Sequence, residues 1–349
     1  MDENNAKFLL KKTFKNKFDL NNYIDFLTEL FGNINIEVKD QISYLKKGVK
    51  KDANKFIVLG NYRDSLGDII DLYVVELTRE SSIDRARTLQ RNLVASYMKS
   101  HNKNKALVAF YNDDFEDWRF SYVTLGYEFT SDGLKEKLSS PKRHSFLVGP
   151  NEPNHTCETQ FLKILKQKRK LKLSDLDDAF NIENVTDEFF KKYNELYLML
   201  KESLEEVIES DENVAHEFEL KHVDAGDFSK KLMGQLVFVY FLQKKGWLGL
   251  KPGEKCGFGS KNFLRKLFNK EFLDYENFFN DIIEPLFYSG FSEYVSDNHY
   301  SQFGFEVPFL NGGLFEPIND YSWNTTDIVL DNDIFSKILD TFDKFNYYY

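Results

Sequence analysis

Apolar residues follow a helical spacing through residues 20–31 and then form two short continuous runs, at 55–61 and 69–77. The helical spacing places apolar side chains on one face and predicts an amphipathic helix. The two runs are rich in β-branched residues, and residues 64–68 (DSLGD) between them carry the Asp, Ser and Gly typical of a turn. The pattern therefore predicts a helix followed by a buried β-hairpin.

A second helix is predicted from about residue 82 to residue 100. At its start Ser81 is followed three residues later by Asp84, which is a variant of the capping box. The first helix has Asn21 or Asn22 as its candidate cap, because a side-chain oxygen there can accept a hydrogen bond from a free backbone N–H.

Two further strands are predicted at residues 106–111 and 118–127, joined by an acidic turn at 112–117. The predicted order is helix, strand, strand, helix, strand, strand. This order describes a mixed α/β domain with a central sheet.

The pattern changes after residue 138. Residues 139–153 read as an extended crossing segment, and residues 163–172 form a basic run that we expect on a helix. Beyond it the apolar spacing is helical in five segments, at 189–209, 228–245, 261–268, 275–287 and 332–346. We therefore predict an α+β protein, with a mixed α/β domain at residues 1–150 and a mainly helical domain at residues 151–349.

Composition supports two packed domains, because the chain contains 34 Phe and 19 Tyr, whose side chains bury large areas. Cys157 and Cys256 are far apart and fit neither a zinc site nor a disulfide framework, which favours a reducing, cytoplasmic setting. The longest apolar stretch, 236–242, is much shorter than the roughly 20 residues of a membrane span. We therefore expect no membrane association.

Charge is unevenly distributed along the chain. Residues 1–172 contain 30 Lys and Arg against 23 Asp and Glu, a balance of +7, whereas the remainder contains 16 against 33, a balance of −17. Basic side chains neutralise phosphates, and acidic surfaces repel them. The first half of the chain can thus neutralise the phosphates of a polyanion such as DNA, although a balance of this size does not by itself establish DNA binding.

Acidic residues lie in and around the predicted hairpin, the element on which metal-dependent nucleases carry their site. Such a site needs a carboxylate near one strand, and a Glu or Asp and a Lys one residue apart on the next. The carboxylates hold a divalent cation such as Mg²⁺, which helps to form the attacking hydroxide. Asp71 and Glu76 are the candidate metal ligands, with Asp64 or Asp68 as the alternative first carboxylate; both of the latter also suit a simple turn.

Thr78 stands where the Lys of such a site is expected. Alternation along a strand places Glu76 and Thr78 on one face and Arg79 on the other. A threonine carries no charge and cannot neutralise the charge that develops on the phosphate. The sequence therefore leaves a working nuclease centre and a degenerate one as alternatives.

Arginine is concentrated on the second predicted helix. Arg85, Arg87, Gln90 and Arg91 lie within two turns, and Arg87 and Arg91 share a face at a spacing of four. Arg guanidinium groups bind phosphate through paired hydrogen bonds, so these residues are candidate DNA ligands. The alternative is a solvated helix face whose arginines pair with nearby carboxylates.

The crossing segment adds Arg143 and His144 as candidate phosphate contacts. No partner for His144 as a catalytic base is visible in the sequence. The nucleotide-binding pattern GxxxxGK[ST] is absent from the chain, and so is the Asn-Pro-Pro-Tyr or Asp-Pro-Pro-Tyr loop of adenine methyltransferases. The Gly-Gly at 312–313 suits a tight turn.

Six strings resemble, in order, the N-terminal region of large type IIG-like restriction–modification proteins. They are Asp71 to Leu77, Ile83 to Asn92, Ser145 to Pro153, Ala179 to Thr186, Leu236 to Gly249 and Pro308 to Pro317. The resemblance covers most of residues 55–349. It implies a PD-(D/E)xK nuclease-like domain followed by the helical connector that precedes an adenine-specific methyltransferase.

The resemblance also implies a role in restriction of foreign DNA, as in phage defence, and continuation into a methyltransferase after residue 346. The chain stops at Tyr349, so a methyltransferase supplied by a longer chain or by another subunit is an expected partner. Two hypotheses remain open. The chain is either a Mg²⁺-dependent endonuclease module, or a non-catalytic module that binds DNA or docks a methyltransferase.

Overall fold

The computed structural model describes residues 1–32, 34–78, 87–129, 136–138, 141–293, 299–300, 304–310 and 313–345. The chain divides into two compact units. The first comprises Met1–Asp187 together with Lys344 and Phe345, and the second comprises Glu188–Asp343.

The first unit contains six helices and eight strands in its described residues. In chain order they are α1 (Glu3–Phe14), α2 (Leu20–Phe31), β1 (Lys39–Asp40), α3 (Lys47–Lys50), β2 (Ala53–Arg63), β3 (Ile69–Leu77), α4 (Arg87–Ser100), β4 (Lys105–Tyr111), β5 (Trp118–Thr124), β6 (Tyr127–Phe129), β7 (Glu136–Leu138), β8 (Lys142–Val148), α5 (His155–Leu165) and α6 (Leu173–Ala179). A short 3₁₀ turn, Ile42–Tyr44, precedes α3.

The predicted hairpin and central sheet are confirmed. Six strands form one sheet in the order β1-β2-β3-β4-β5-β8. Strands β2 and β3 are antiparallel, β3 and β4 are parallel, and the helix α4 lies between these two in the chain. Parallel neighbours require such a crossover connection. The remaining pairs in this sheet are antiparallel, so the sheet is mixed.

Each face of the sheet packs against different helices. Residues Ile70, Leu72 and Val74 of β3 share a core with α1, α2, α5 and α6. On the opposite face, Tyr73 packs edge-on against Tyr97 of α4, with ring centroids 5.5 Å apart. Because side chains alternate along a strand, even-numbered β3 residues face the first group and odd-numbered residues face α4.

Local capping explains where two helices begin. The cap of α2 is Asp19, whose carboxylate accepts a hydrogen bond from the Asn22 backbone N–H at 2.8 Å, so the prediction of Asn21 or Asn22 was wrong. Asp2 caps α1, a helix that the apolar pattern did not predict. The start proposed at Ser81 and Asp84 lies outside the described residues.

The first unit extends to Asp187 rather than ending at residue 150. Helices α5 and α6 are the reason, since Phe161, Leu176 and Phe180 complete the core of the sheet. The predicted crossing segment contains an edge strand, β8. The basic run 163–172 is not a continuous helix, because α5 ends at Leu165.

The second unit is mainly helical, as predicted. Its elements are α7 (Ile182–Ser210), which begins before the unit boundary, α8 (Glu212–Leu220), α9 (Ala225–Lys244), α10 (Phe263–Phe268), the π-helical segments Phe279–Ile283 and Leu286–Phe291, the strands β9 (His299–Tyr300) and β10 (Phe305–Glu306), a 3₁₀ turn (Ile318–Asp320) and α11 (Asn332–Phe342). The α+β class is therefore confirmed. None of the described helices has the length and apolar content needed to cross a bilayer.

Candidate functional site

The two predicted metal ligands do not come together. Asp71 and Glu76 both lie in β3 and are buried, but they are five positions apart along the strand. An odd separation points them to opposite faces of the sheet, and the strand rise places them about 16 Å apart. The prediction that Asp71 and Glu76 share one cation is therefore corrected by the alternation of the strand.

Glu76 is held by three donors from neighbouring strands. Its carboxylate oxygens accept hydrogen bonds from Asn54 Nδ2 at 3.1 Å, Lys55 Nζ at 2.7 Å and Tyr111 Oη at 3.0 Å. Burial opposes ionisation of this carboxyl group, but these donors outweigh burial and lower the pKa of Glu76. We call Asn54, Lys55, Glu76 and Tyr111 the Glu76 cluster.

Tyr111 also links the Glu76 cluster to the face of the sheet that packs against α1 and α2. Its ring stacks on Phe18 at 4.5 Å, and burial together with the Glu76 carboxylate raises the pKa of the phenol above its ordinary value. The Glu76 carboxylate is thus enclosed by protein groups that already satisfy it.

Thr78 does not continue the strand, because β3 ends at Leu77. Its backbone N–H donates to the Asp52 carbonyl at 3.2 Å, and its carbonyl accepts from Asn112 Nδ2 at 2.9 Å. The expectation that Thr78 shares a strand face with Glu76 is therefore not met.

Asp71 faces α4 and pairs with a lysine that follows that helix. Lys103 Nζ lies 3.0 Å from Asp71 Oδ1. Burial raises the pKa of Asp71, and the ion pair with Lys103 opposes this shift only in part. Asp71 is therefore a buried structural carboxylate with one cationic partner in this arrangement.

Asp64 and Asp68, the alternative carboxylates, form the hairpin turn. Asp64 Oδ1 accepts backbone hydrogen bonds from Leu66 at 2.9 Å and Asp68 at 3.0 Å, and its Oδ2 accepts one from Leu173 at 3.0 Å. These backbone donors, Leu173 first, lower the pKa of Asp64. Asp68 is exposed and lies 3.7 Å from Lys105. Their place in the hairpin turn explains why the sequence has aspartate at both positions.

A Mg²⁺ site on these residues does not fit. Each candidate carboxylate faces a different environment, and the Glu76 oxygens are occupied by three protein donors. Among the residues that the structure describes, no group of three His, Cys, Asp or Glu side chains is placed to hold a metal ion.

The predicted phosphate ligands give a different result, because the fold brings several of them together. Arg91 and Arg143 line one cleft of about 390 Å³ between α4 and the edge strand β8, together with Thr88, Pro141, Lys142 and His144. We call this the basic cleft. Lys142 is exposed, and Arg143 and His144 are half-buried.

Gln90 supports this cleft from behind. It is fully buried, and its side-chain oxygen accepts a hydrogen bond from Arg143 Nη1. A buried amide cannot reach a DNA backbone, so the prediction of Gln90 as a direct DNA ligand is corrected: Gln90 orients Arg143. Arg85 and the side chain of Arg87 lie outside the described residues.

Arg91 lacks a hydrogen-bond acceptor at one atom, and His144 has a shifted pKa. The Arg91 Nε–H is buried without a hydrogen-bond partner among the described groups. Burial, and then the neighbouring Lys142, lower the pKa of His144, while Asp177 raises it less strongly. An anion in the basic cleft would favour the protonated form of this imidazole.

Net charge does not explain the basic cleft. Residues 173–187 contain five acidic and no basic residues, so the balance of +7 for residues 1–172 falls to +2 for residues 1–187. The local placement of cations on one edge of the sheet is the relevant feature.

Several partners were not predicted. Lys55, Lys103 and Tyr111 each come to a predicted carboxylate from elsewhere in the chain, and no local spacing indicated this. Lys142 was detectable, because it stands directly before Arg143 and His144.

Comparisons of the chain with protein-family models, with curated proteins and with solved structures gave no match.

Proposed function

We propose that this chain is a non-catalytic DNA-binding module of a restriction–modification system, which contacts the phosphate backbone through the basic cleft. The observation that carries the proposal is that Arg91, Lys142, Arg143 and His144 all line one cleft at the sheet edge. By strand alternation Arg143 faces α4, whereas Lys142 and His144 flank it on the other side of the edge strand. Most protein–DNA hydrogen bonds go to the backbone, and Arg and Lys provide the charge.

The basic cleft has two properties of a backbone contact. The Arg143 guanidinium is oriented by the buried Gln90, so less rotamer freedom is lost on binding. The Arg91 Nε–H lacks an acceptor among the described groups, and because this atom is buried, a phosphate oxygen would supply one only after the guanidinium turns towards the cleft.

A nuclease-like ancestry is consistent with the first unit. It has an antiparallel hairpin, a crossover helix and a parallel fourth strand. The absence of a shared position for Asp71 and Glu76 supports a degenerate centre rather than an active one. A methyltransferase, supplied by a longer chain or by another subunit, is the protein partner that we propose on the resemblance to type IIG-like restriction–modification proteins, and the cytoplasm is the proposed compartment.

DNA affinity as a function of salt tests the proposal. We expect the full chain to bind a short fluorescent DNA duplex with an affinity that falls steeply with salt. In a plot of the logarithm of the binding constant against the logarithm of the salt concentration, each neutralised phosphate adds about 0.9 to the negative slope. Arg91→Ala combined with Arg143→Ala should weaken binding to every sequence and reduce the slope by about 2.

The matched control removes two exposed lysines from the opposite face of the sheet, by Lys11→Ala and Lys163→Ala, and should leave the slope unchanged. Arg143→Ala removes the hydrogen-bond partner of the buried Gln90 and could therefore also affect folding. Lys142→Ala serves as a second cleft variant, because Lys142 is exposed. Equal slopes for the wild type, the cleft variants and the control would refute the basic cleft as the DNA site.

The endonuclease alternative has one observation in its favour. Glu76 and Lys55 place a carboxylate and an ammonium group on neighbouring strands, 2.7 Å apart. We expect no Mg²⁺-dependent cleavage of unmethylated plasmid DNA. Cleavage by the wild type that disappears in Glu76→Gln would establish the enzyme and overturn the non-catalytic assignment.

A further inference from the structure

A second cleft, of about 710 Å³, lies at the turn end of the β2–β3 hairpin. Its walls are the last turn of α2, residues 34–35, residues 61–65 and the basic segment 167–171. We call it the hairpin cleft. In the sheet order, β2 and β8 are separated by β3, β4 and β5, so the hairpin cleft and the basic cleft lie at different strands.

The basic segment of this cleft has no regular secondary structure, yet it is fixed at several points. Tyr62 Oη donates to the Leu171 carbonyl at 2.7 Å, and the Leu173 N–H donates to Asp64 at 3.0 Å. Arg169 Nη1 binds the Asp175 carboxylate at 2.8 Å. A ligand would therefore meet a preformed backbone, which lowers the entropic cost of binding.

The rim of the hairpin cleft carries an excess of available positive charge. Arg63, Lys168 and Lys170 are exposed, and none of them forms an ion pair with a described residue. Two carboxylates, Glu29 and Asp64, also line the cleft. The Asp64 carboxylate is already occupied by three backbone donors, so it does not compete for these cations.

The inner wall has a different chemistry. Phe31 and Tyr62 form a tilted ring pair with centroids 4.8 Å apart, beside Ile34. The Gln167 side-chain oxygen is buried in this wall without a hydrogen-bond partner among the described groups. An apolar wall, one unsatisfied acceptor and a cationic rim together suit a ligand with a ring system, an N–H donor and several phosphates.

We propose that the hairpin cleft binds a nucleoside di- or triphosphate. The phosphates lie against Lys168, Lys170 and Arg63, the base lies along the Phe31 wall, and its amino group donates to Gln167 after a small side-chain rotation. The volume of this open cleft, about 710 Å³, falls within the range of about 300–1,000 Å³ that is typical of small-molecule sites, and a nucleic-acid strand requires an extended groove.

Calorimetry on the full chain with ATP, adenosine, inorganic tripolyphosphate and a short single-stranded DNA tests the proposal. We expect ATP to bind most tightly, and Lys168→Glu with Lys170→Glu to weaken ATP at least about tenfold. The matched charge reversal on α3, Lys47→Glu with Lys50→Glu, should leave ATP affinity unchanged, and both variants carry exposed substitutions that leave the core intact.

Gln167→Leu tests the base contact separately. It should weaken ATP several-fold while leaving tripolyphosphate unaffected, because only the base reaches Gln167. The proposal is overturned if ATP does not bind, if the Lys168 and Lys170 variant binds ATP as tightly as the wild type does, if tripolyphosphate binds as tightly as ATP, or if only the DNA strand binds. Loss of DNA binding at the basic cleft leaves these ATP measurements unaffected, so the two proposals fail independently.

Discussion

The Glu76 cluster and the basic cleft contain similar polar residues in opposite states. In the Glu76 cluster a buried carboxylate is met by Lys55, Asn54 and Tyr111, so the protein itself satisfies the charge. In the basic cleft, Arg91, Lys142 and Arg143 line one space that has no carboxylate among its described lining residues. Arg143 is held by Gln90, and the Arg91 Nε–H has no acceptor in the described structure.

This difference separates structural from ligand-binding charge. A buried group that already has its partners stabilises the fold and gains little from a ligand. A group left without a partner carries a free-energy cost that a ligand can remove. By this criterion the hairpin carboxylates serve the fold, and the α4–β8 edge is the place for an anion.

Glu76→Ala should produce the largest effect and should act on stability alone. Removing the carboxylate leaves the half-buried Tyr111 hydroxyl without its acceptor, while water replaces the contacts of the exposed Asn54 and Lys55. We expect the free energy of unfolding to fall by about 2 kcal/mol in urea titrations. DNA affinity of the folded protein should be unchanged. A Glu76→Ala protein that is as stable as the wild type but binds DNA differently would assign Glu76 to DNA binding rather than to the fold.

The Glu76 contribution should also depend on pH. The folded-state pKa of Glu76 is lowered, so its stabilisation is present above the ordinary value of 4.5 and is lost as the pH falls through the folded-state pKa. The stability difference between the wild type and Glu76→Gln should therefore shrink in acid.

Lys103→Met should have the next largest effect, because it leaves the buried Asp71 carboxylate without its cation. Lys103 is about one-third exposed, so water compensates in part, and we expect a loss of about 1–2 kcal/mol by urea unfolding. Lys99→Met, which removes an exposed lysine near the end of α4, is the control. Equal stability of the two variants would show that Asp71 does not depend on Lys103.

Arg143→Met should behave in the opposite way to the carboxylate variants. The substitution keeps much of the apolar stem but removes the phosphate contact, and we expect DNA affinity to fall about tenfold at low salt. Unfolding should change less than in Glu76→Ala. Fluorescence anisotropy and urea titration on the same preparation check both parts, and a stability loss without an affinity loss would place Arg143 with the structural charges.

His144 should give the smallest effect, seen only as a pH dependence. Its pKa is lowered in the free protein, and a bound phosphate would raise it, so DNA binding takes up a proton. Affinity should rise roughly threefold as the pH falls from neutrality towards 5.5, and His144→Gln should flatten this profile. An unchanged profile in His144→Gln would remove this residue from the contact.

Part of the candidate site could be predicted because it depends on neighbours in sequence. The turn at Asp64 and Asp68 and the candidate phosphate contacts at Arg143 and His144 were visible in this way. The failure to pair Asp71 with Glu76 was also implicit in their odd spacing, because a five-residue separation in one strand always places side chains on opposite faces. The donors to Glu76 were not predictable, since they come from β2 and β4.

The sequence by itself determined the secondary structure of the hairpin, the presence of a central sheet, the helical character of the second unit and the chemical types of residue available for phosphate binding. Periodicity and turn residues act locally, so these features follow from short windows. The tertiary structure alone decided which charges are neutralised. Lys55 pairs with Glu76 and Lys103 pairs with Asp71, whereas α4 and β8 lie so that Arg91 and Arg143 line one cleft. Coulomb energies and desolvation depend on distances in space, and packing sets those distances.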